Sequence, residues 1–113
     1  MAAVYVNNLV VNSGADFSQS FTLEGTDTSS AFDLTGYTVS AQMRKWAGSS
    51  SSTSFTCTIE SPATAGKLTI SLTSTQTANL KPGRYVYDIL ITSGNIKNRV
   101  IEGMVLVTEG VTK

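Results

Sequence analysis

Apolar and polar residues alternate with a period of two in segment after segment of this chain. Over residues 16–24 the alternation places Phe17, Phe21 and Leu23 on one side and hydroxyl-bearing residues on the other. Successive side chains of a β-strand point to opposite faces, so this period predicts a half-buried strand. The same pattern returns in three further segments, at residues 37–45, 55–59 and 68–72. The chain is therefore expected to be an all-β protein.

The remaining segments complete a sandwich. Residues 84–92 and 98–108 are the two strongest strands, and Ser93-Gly94-Asn95 between them suits a hairpin turn. A further strand is predicted over residues 4–11, with a kink or a change of pairing partner at Asn7 and Asn8. Residues 74–80 begin with Ser74 as a helix-capping residue and predict a short helix that bridges two sheets. About seven strands and one short helical turn indicate an immunoglobulin-like antiparallel β-sandwich.

The length of 113 residues suits a single domain over residues 1–113. Ser and Thr together make up 31 residues and only 14% of the residues are charged, which disfavours helical bundles. The single cysteine, Cys57, rules out an intrachain disulfide and favours a reducing compartment. The N-terminus lacks the pattern of a secretory signal, and we expect a soluble chain.

Several classes of function are disfavoured by the residues themselves. The chain has no histidine, which removes the commonest general base and metal ligand, and we expect no enzymatic activity. Cys57 alternates with Phe55 and Ile59 on an apolar face, as a core thiol does. The acidic residues are scattered, so neither a metal nor another cofactor is predicted. A net charge of zero disfavours nucleic acid and anionic membranes as partners.

The charges are unevenly distributed along the chain. Residues 1–43 carry four acidic residues and no Lys or Arg, which leaves eight basic and four acidic residues in the remainder. This asymmetry fits either chance scatter over a solvated surface or head-to-tail packing of copies.

The last two strands are apolar on both faces, whereas one face of a sandwich strand is normally polar. The uninterrupted rows are assigned to the core: Tyr85, Tyr87, Ile89 and Ile91, and Ile101, Gly103, Val105 and Val107. The second rows predict a protein interface, joined by two residues of the neighbouring strand: Arg44, Trp46, Val86, Asp88, Leu90, Val100, Glu102, Met104 and Leu106. Alternatively, the N-terminal strand, the C-terminal tail or the short helix covers this face within one chain. Arg44, Arg84 and Arg99 are candidates for ion pairs with Asp88 and Glu102.

Several stretches of the chain also carry a family resemblance. They are Gly14-Ala15-Asp16-Phe17, Asp33-Leu34-Thr35-Gly36-Tyr37 with Gln42-Met43-Arg44-Lys45, Leu80 with Pro82-Gly83-Arg84-Tyr85-Val86-Tyr87-Asp88, and Arg99-Val100-Ile101-Glu102-Gly103. With them the chain resembles small tailed-phage virion proteins, and over roughly residues 9–112 it is similar to the N-terminal immunoglobulin-like domain of phage upper-baseplate proteins. The resemblance implies a non-enzymatic structural component present in many copies. Those relatives continue into a receptor-binding or fibre-holding region beyond the point where this chain stops, so a host-recognition role is not expected.

Two functional hypotheses follow. In the first, the protein is a virion component, assembled in the host cytoplasm, that contacts itself or other virion proteins of the capsid, neck or baseplate. It would act either as a baseplate or tail adaptor or as a capsid decoration or cement protein. In the second, it is a carbohydrate-binding module of the virion surface, with Trp46, Tyr37 and Tyr5 as stacking rings. Tyr85 or Tyr87 is also a candidate for the tyrosine corner of immunoglobulin-type folds.

Overall fold

The computed structural model describes residues 5–23 and 33–111, which form two packed β-sheets. A short helix, α1, spans Ser74–Ala78, and a 3₁₀ turn spans Ala63–Ala65. The strands are β1 (Tyr5–Val6), β2 (Leu9–Asn12), β3 (Phe17–Thr22), β4 (Thr38–Arg44), β5 (Thr53–Ser54), β6 (Thr56–Ile59), β7 (Lys67–Leu72), β8 (Gly83–Ser93) and β9 (Ile96–Thr108).

The larger sheet has the order β1-β9-β8-β4-β5, with β2 also paired to β9, and the smaller sheet has the order β3-β7-β6. All pairs are antiparallel except those of β1 and β2 with β9, which are parallel. The sequence does not predict this parallel edge. The rest confirms the predicted immunoglobulin-like sandwich, in which β4 pairs with β8 and β6 pairs with β7.

One apolar core lies between the two sheets. The strand faces predicted from the alternation are confirmed, because Leu23, Met43 and Ile89 are all fully buried. Burial of these aliphatic side chains is the main favourable contribution to folding. Cys57 is half-buried and packs against the core, in agreement with its prediction as a core thiol.

A β-bulge in β9 corrects one residue of the predicted interface. Ile89 pairs with Ile101 but Leu90 pairs with Arg99, so Val100 is an extra residue in β9. The two residues at such a bulge depart from strict alternation, and here both Val100 and Ile101 point into the core, with 0% and 1% exposure. The prediction that Val100 lies on the outer face is therefore wrong. The same bulge brings Arg99 to the outer face.

The strand predicted at the N-terminus is divided where its two asparagines stand. The carbonyl oxygen of Asn7 accepts a hydrogen bond from the Tyr87 hydroxyl at 2.6 Å, and Asn8 Oδ1 accepts one from the Met104 amide at 3.0 Å. A side chain at Gly103 would overlap the Asn7 carbonyl. Glycine at this position therefore allows the chain to cross closely over β9.

The connection from β7 to β8 bridges the two sheets through α1, as predicted. Its N-cap is Thr73, one residue before the predicted Ser74, and Thr73 forms a capping box with Gln76. The Tyr85 hydroxyl donates to the Lys81 carbonyl oxygen at 2.7 Å, which assigns the tyrosine corner to Tyr85. The polar segment over residues 47–54 ends in the short strand β5.

Candidate protein interface

The outer face of the larger sheet carries its side chains in rows that cross the strands. A row consists of residues that pair with one another across neighbouring strands, because paired residues share a face of the sheet. Along one strand, the residue two positions further on points to the same face and belongs to the next row. From one end of the sheet to the other, the rows are Val10–Leu106–Arg84, then Met104–Val86–Arg44, then Glu102–Asp88–Gln42, and then Arg99–Leu90–Ser40.

Apolar side chains are exposed at one end of this face. Val10, Met104 and Leu106 have exposures of 56%, 46% and 43%, and Trp46, just beyond β4, has 62%. Val10 pairs with Leu106 and Met104 pairs with Val86, so these side chains adjoin one another. Single exposed apolar residues are ordinary, but a contiguous group is typical of an interaction surface.

An ion cluster lies beside the apolar residues. Arg99 Nε contacts Asp88 Oδ2 at 3.2 Å, and Arg99 Nη1 contacts Glu102 Oε1 at 3.6 Å. The three side chains are between 38% and 55% exposed, so solvent screens the pairs and they contribute little to folding. The predicted pairing of Arg99 with both acids is confirmed.

The other two candidate arginines have different surroundings. Arg44 donates to Gln42 Oε1 at 3.0 Å and to the carbonyl oxygen of Ser49, and it does not pair with either acid. Arg84 is exposed and has no ion pair with any residue that the structure describes. Both predicted pairings are therefore wrong, because Arg44 is used to hold a loop and Arg84 points out at the end of the face.

The loop after β4 holds the backbone of Trp46 in a closed turn. The Ser49 amide donates to the Trp46 carbonyl oxygen at 3.0 Å, which closes a turn, and Arg44 donates to the carbonyl oxygen of Ser49. Gly48 lies against the indole, since a Cβ at that position would be 3.7 Å from Trp46 Cδ1. Ser49 itself is buried. A loop ordered in this way loses little entropy when Trp46 binds a partner.

An open groove of about 810 Å³ runs between this loop and the middle of the face. Of the nine residues predicted for the interface, seven line the groove: Arg44, Trp46, Val86, Asp88, Leu90, Glu102 and Met104. Leu106 is exposed on the same face outside the groove, and Val100 is buried in the core.

Sequence reasoning missed Val10 as a member of this surface, and it missed a contact of Lys45 on the opposite side of the sheet. Val10 alternates with the buried Leu9 and Val11, which marks it as outward, but only the parallel pairing with β9 places it next to Leu106. Lys45 lies over the Tyr85 ring at 4.9 Å, a cation–π contact that the sequence does not reveal.

The aromatic residues suggested for carbohydrate stacking do not converge. Tyr37 precedes β4 and packs half-buried against the core, whereas Trp46 follows the other end of the same strand. The side chain of Tyr5 lies outside the described residues. Of the three proposed rings, Trp46 is the one that the described residues place on this face.

Of the described residues with a perturbed pKa, Tyr87 lines the groove, whereas Asp33 and Cys57 lie outside it. Burial raises the pKa of the Cys57 thiol, as it does for a thiol packed on a core, and raises the pKa of Tyr87 to about 12. Within residues 5–23 and 33–111, His, Cys, Asp and Glu form no group of three that could hold a metal ion. In the same residues, no helix is long and apolar enough to cross a membrane.

Comparison with known proteins shows a likeness of fold without a family. No protein-family model matches the chain, and no curated protein matches it. InlP of Listeria monocytogenes superposes with a TM-score of 0.50 at 12% identity, over 90% of this chain and 26% of InlP. At 12% identity this likeness concerns the fold alone.

Two further structures are similar at lower scores. A marsupial T cell receptor has a TM-score of 0.49 at 12% identity, over 94% of this chain and 51% of the receptor chain. A family 123 glycoside hydrolase from Clostridium perfringens has a TM-score of 0.47 at 12% identity, over 96% of this chain and 24% of the hydrolase. The chain thus spans about half or less of each of the three proteins.

Proposed function

We propose that this protein is a non-enzymatic structural protein of a phage virion that binds other protein surfaces through the outer face of its larger sheet. The observation that carries the binding role is the adjoining exposure of Val10, Met104, Leu106 and Trp46 beside a groove. Exposed apolar surface of this kind costs solubility unless a partner covers it.

The character of the face supports a protein as the partner. A large aromatic side chain and aliphatic neighbours form its apolar part, and the charged residues Asp88, Arg99 and Glu102 lie beside them. An apolar centre with a polar surround is the usual composition of protein interfaces. Trp46 is the expected anchor, because tryptophan is enriched among the residues that dominate binding energy.

The assignment to a virion rests on the resemblance of the sequence stretches to phage structural proteins. Two positions in the particle fit that resemblance: a baseplate or tail adaptor, or a capsid decoration or cement protein. The absence of histidine from the chain supports a role without catalysis.

The proposal is tested by incorporation into particles. We expect the chain to co-purify with intact phage particles in many copies, and labelled protein to appear on the head or the tail by electron microscopy. We expect the double variant Met104→Ala, Leu106→Ala to lose incorporation with an unchanged melting temperature, because both side chains are exposed.

A matched control is Ile96→Ala, which truncates a 65% exposed apolar residue at the start of β9, away from the groove. This variant is expected to incorporate normally. Absence of the chain from purified particles would refute the virion role, and normal incorporation of the double variant would refute the use of this face.

The exposed indole of Trp46 also favours a second candidate function, the binding of carbohydrate, since sugar rings stack on aromatic faces. The groove beside it is lined by side chains that can hydrogen-bond hydroxyl groups, among them Gln42, Arg44 and Asp88. Binding on a glycan array that Trp46→Ala abolishes would support this candidate, and an array without binding would leave the protein interface.

A further inference from the structure

Strand β8 carries opposite charges at equal distances on either side of Val86. Arg84, Val86 and Asp88 share the outer face, because Tyr85 and Tyr87 between them point towards the core. An antiparallel strand rises about 3.4 Å per residue, so the two charged residues stand about 7 Å from Val86 in opposite directions. This arrangement is self-complementary.

A two-fold axis above Val86 makes use of that symmetry. If the axis lies parallel to the sheet and perpendicular to β8, it reverses the strand direction in a second copy stacked on the first. Arg84 of each copy then faces Asp88 of the other, and Val86 faces Val86. Two sheets packed face to face lie about 10 Å apart, a distance that these side chains can bridge.

The centre of such a contact is apolar. The axis runs along the row of Met104, Val86 and Arg44, so Met104, which is 46% exposed, meets Met104 of the second copy beside the two Val86 side chains, and Arg44 meets Arg44 at the other end of that row. Leu106 and Val10 belong to the row of Arg84 and lie over the row of Asp88 and Glu102 in the second copy. Covering Val86 and Met104 with their counterparts removes them from water, which is the main driving force for association.

The charged groups at the edge of this contact can form further ion pairs. Among the described residues Arg84 has no ion pair, and the contact of Arg99 with Asp88 uses only Oδ2. Asp88 Oδ1 therefore remains available to a second guanidinium. The net charge of zero removes long-range repulsion between copies.

We infer that the outer face is the contact between two copies of this chain, in an isologous dimer centred on Val86 and framed by two Arg84–Asp88 pairs between the copies. This inference rests on the proposed function in that it uses the same binding face, and it adds the identity of the partner. In an isologous contact the same patch meets itself, so each favourable pair occurs twice.

Two variants test the pairing, each measured by analytical ultracentrifugation from about 1 to about 200 µM. Arg84→Glu places two acids opposite each other, and Asp88→Lys places two cations opposite each other. We expect the dimer dissociation constant of each variant alone to rise at least about tenfold, because like charges face each other twice. In an equimolar mixture, Glu faces Lys and Arg faces Asp, so we expect the mixed dimer to form with nearly the wild-type affinity.

The mixture also serves as a control for misfolding, because an unfolded variant could not restore association. The matched control is Lys67→Glu, a charge reversal at an exposed residue of the smaller sheet, which is expected to leave the dimer unchanged. Failure of the mixture to associate, or a dimer unaffected by both substitutions, would overturn the inference. A wild-type chain that stays monomeric yet incorporates into particles through Met104 and Leu106 would overturn the dimer and leave the proposed function standing.

Discussion

The contact among Tyr87, Asn7 and Gly103 ties the N-terminal segment to the sheet. The Tyr87 ring is buried and its hydroxyl donates to the Asn7 carbonyl oxygen, which lies where a side chain at Gly103 would be. A buried phenol without this acceptor would lose a hydrogen bond that water could no longer replace. The three residues therefore act together, although they are distant in sequence.

Gly103→Ala is expected to destabilise the protein by about 2 kcal/mol, because the added methyl overlaps the Asn7 carbonyl and moves it away from Tyr87. The effect is measured by chemical denaturation. Gly48→Ala serves as the control, since a Cβ there meets Trp46 only at van der Waals distance. Equal stability of Gly103→Ala and the wild type would contradict the close crossing at this point.

Tyr87 also makes the stability depend on alkaline pH. Burial raises the pKa of Tyr87 from 10.0 to about 12, so between these values the folded state holds a proton that the unfolded state has lost. The free energy of unfolding should therefore be unaffected by this group below pH 10 and should fall between pH 10 and about 12. Tyr87→Phe is expected to remove that part of the decline, as measured by denaturation at a series of pH values.

The control for this pH dependence is Tyr85→Phe, which removes a phenol from the same strand and leaves Tyr87 in place. It should retain the decline between pH 10 and 12 that Tyr87 causes. A Tyr87→Phe variant with the full wild-type decline would show that other groups are responsible.

At the scale of the strand, alternation predicts which face each residue occupies until the strand departs from regular geometry. The inward rows of β3, β4 and β8 follow from a period of two, because burial acts on every second side chain. The bulge at Val100 could not be predicted in this way, since it depends on how β9 pairs with β8. For the same reason Arg99 is on the outer face with Asp88.

The bulge separates two aliphatic residues that the sequence pattern places together. Val100→Ala should destabilise the protein by about 2 kcal/mol because it leaves a cavity in the core, whereas Leu106→Ala should change stability by less than about 0.5 kcal/mol. Thermal or urea unfolding of the two variants measures the difference. Similar costs for both would contradict the assignment of Val100 to the core.

The candidate site was predictable only in part. The second apolar rows of β8 and β9 indicate a surface in need of a partner, and Val86, Leu90 and Met104 do line one groove with Trp46, whereas Val100 is buried in the core. The parallel edge strand that adds Val10 and the turn that fixes Trp46 depend on contacts between distant segments. Periodicity describes one strand at a time and carries no information about such contacts.

At the scale of the whole molecule, the balance of apolar and ionic contributions determines how association responds to salt. In the proposed dimer two Arg84–Asp88 pairs frame an apolar centre, and exposed ion pairs weaken as the ionic strength rises. Raising NaCl from about 0.05 to about 1 M should therefore weaken the wild-type dimer severalfold. The apolar centre is expected to keep some association at the higher concentration.

The variant Arg84→Gln should associate more weakly at low salt and respond less to NaCl, because the two Arg84–Asp88 pairs are gone. Sedimentation of the wild type and the variant across the salt series provides the measurement. Equal salt dependence of the two dissociation constants would show that Arg84 does not supply the ionic contribution.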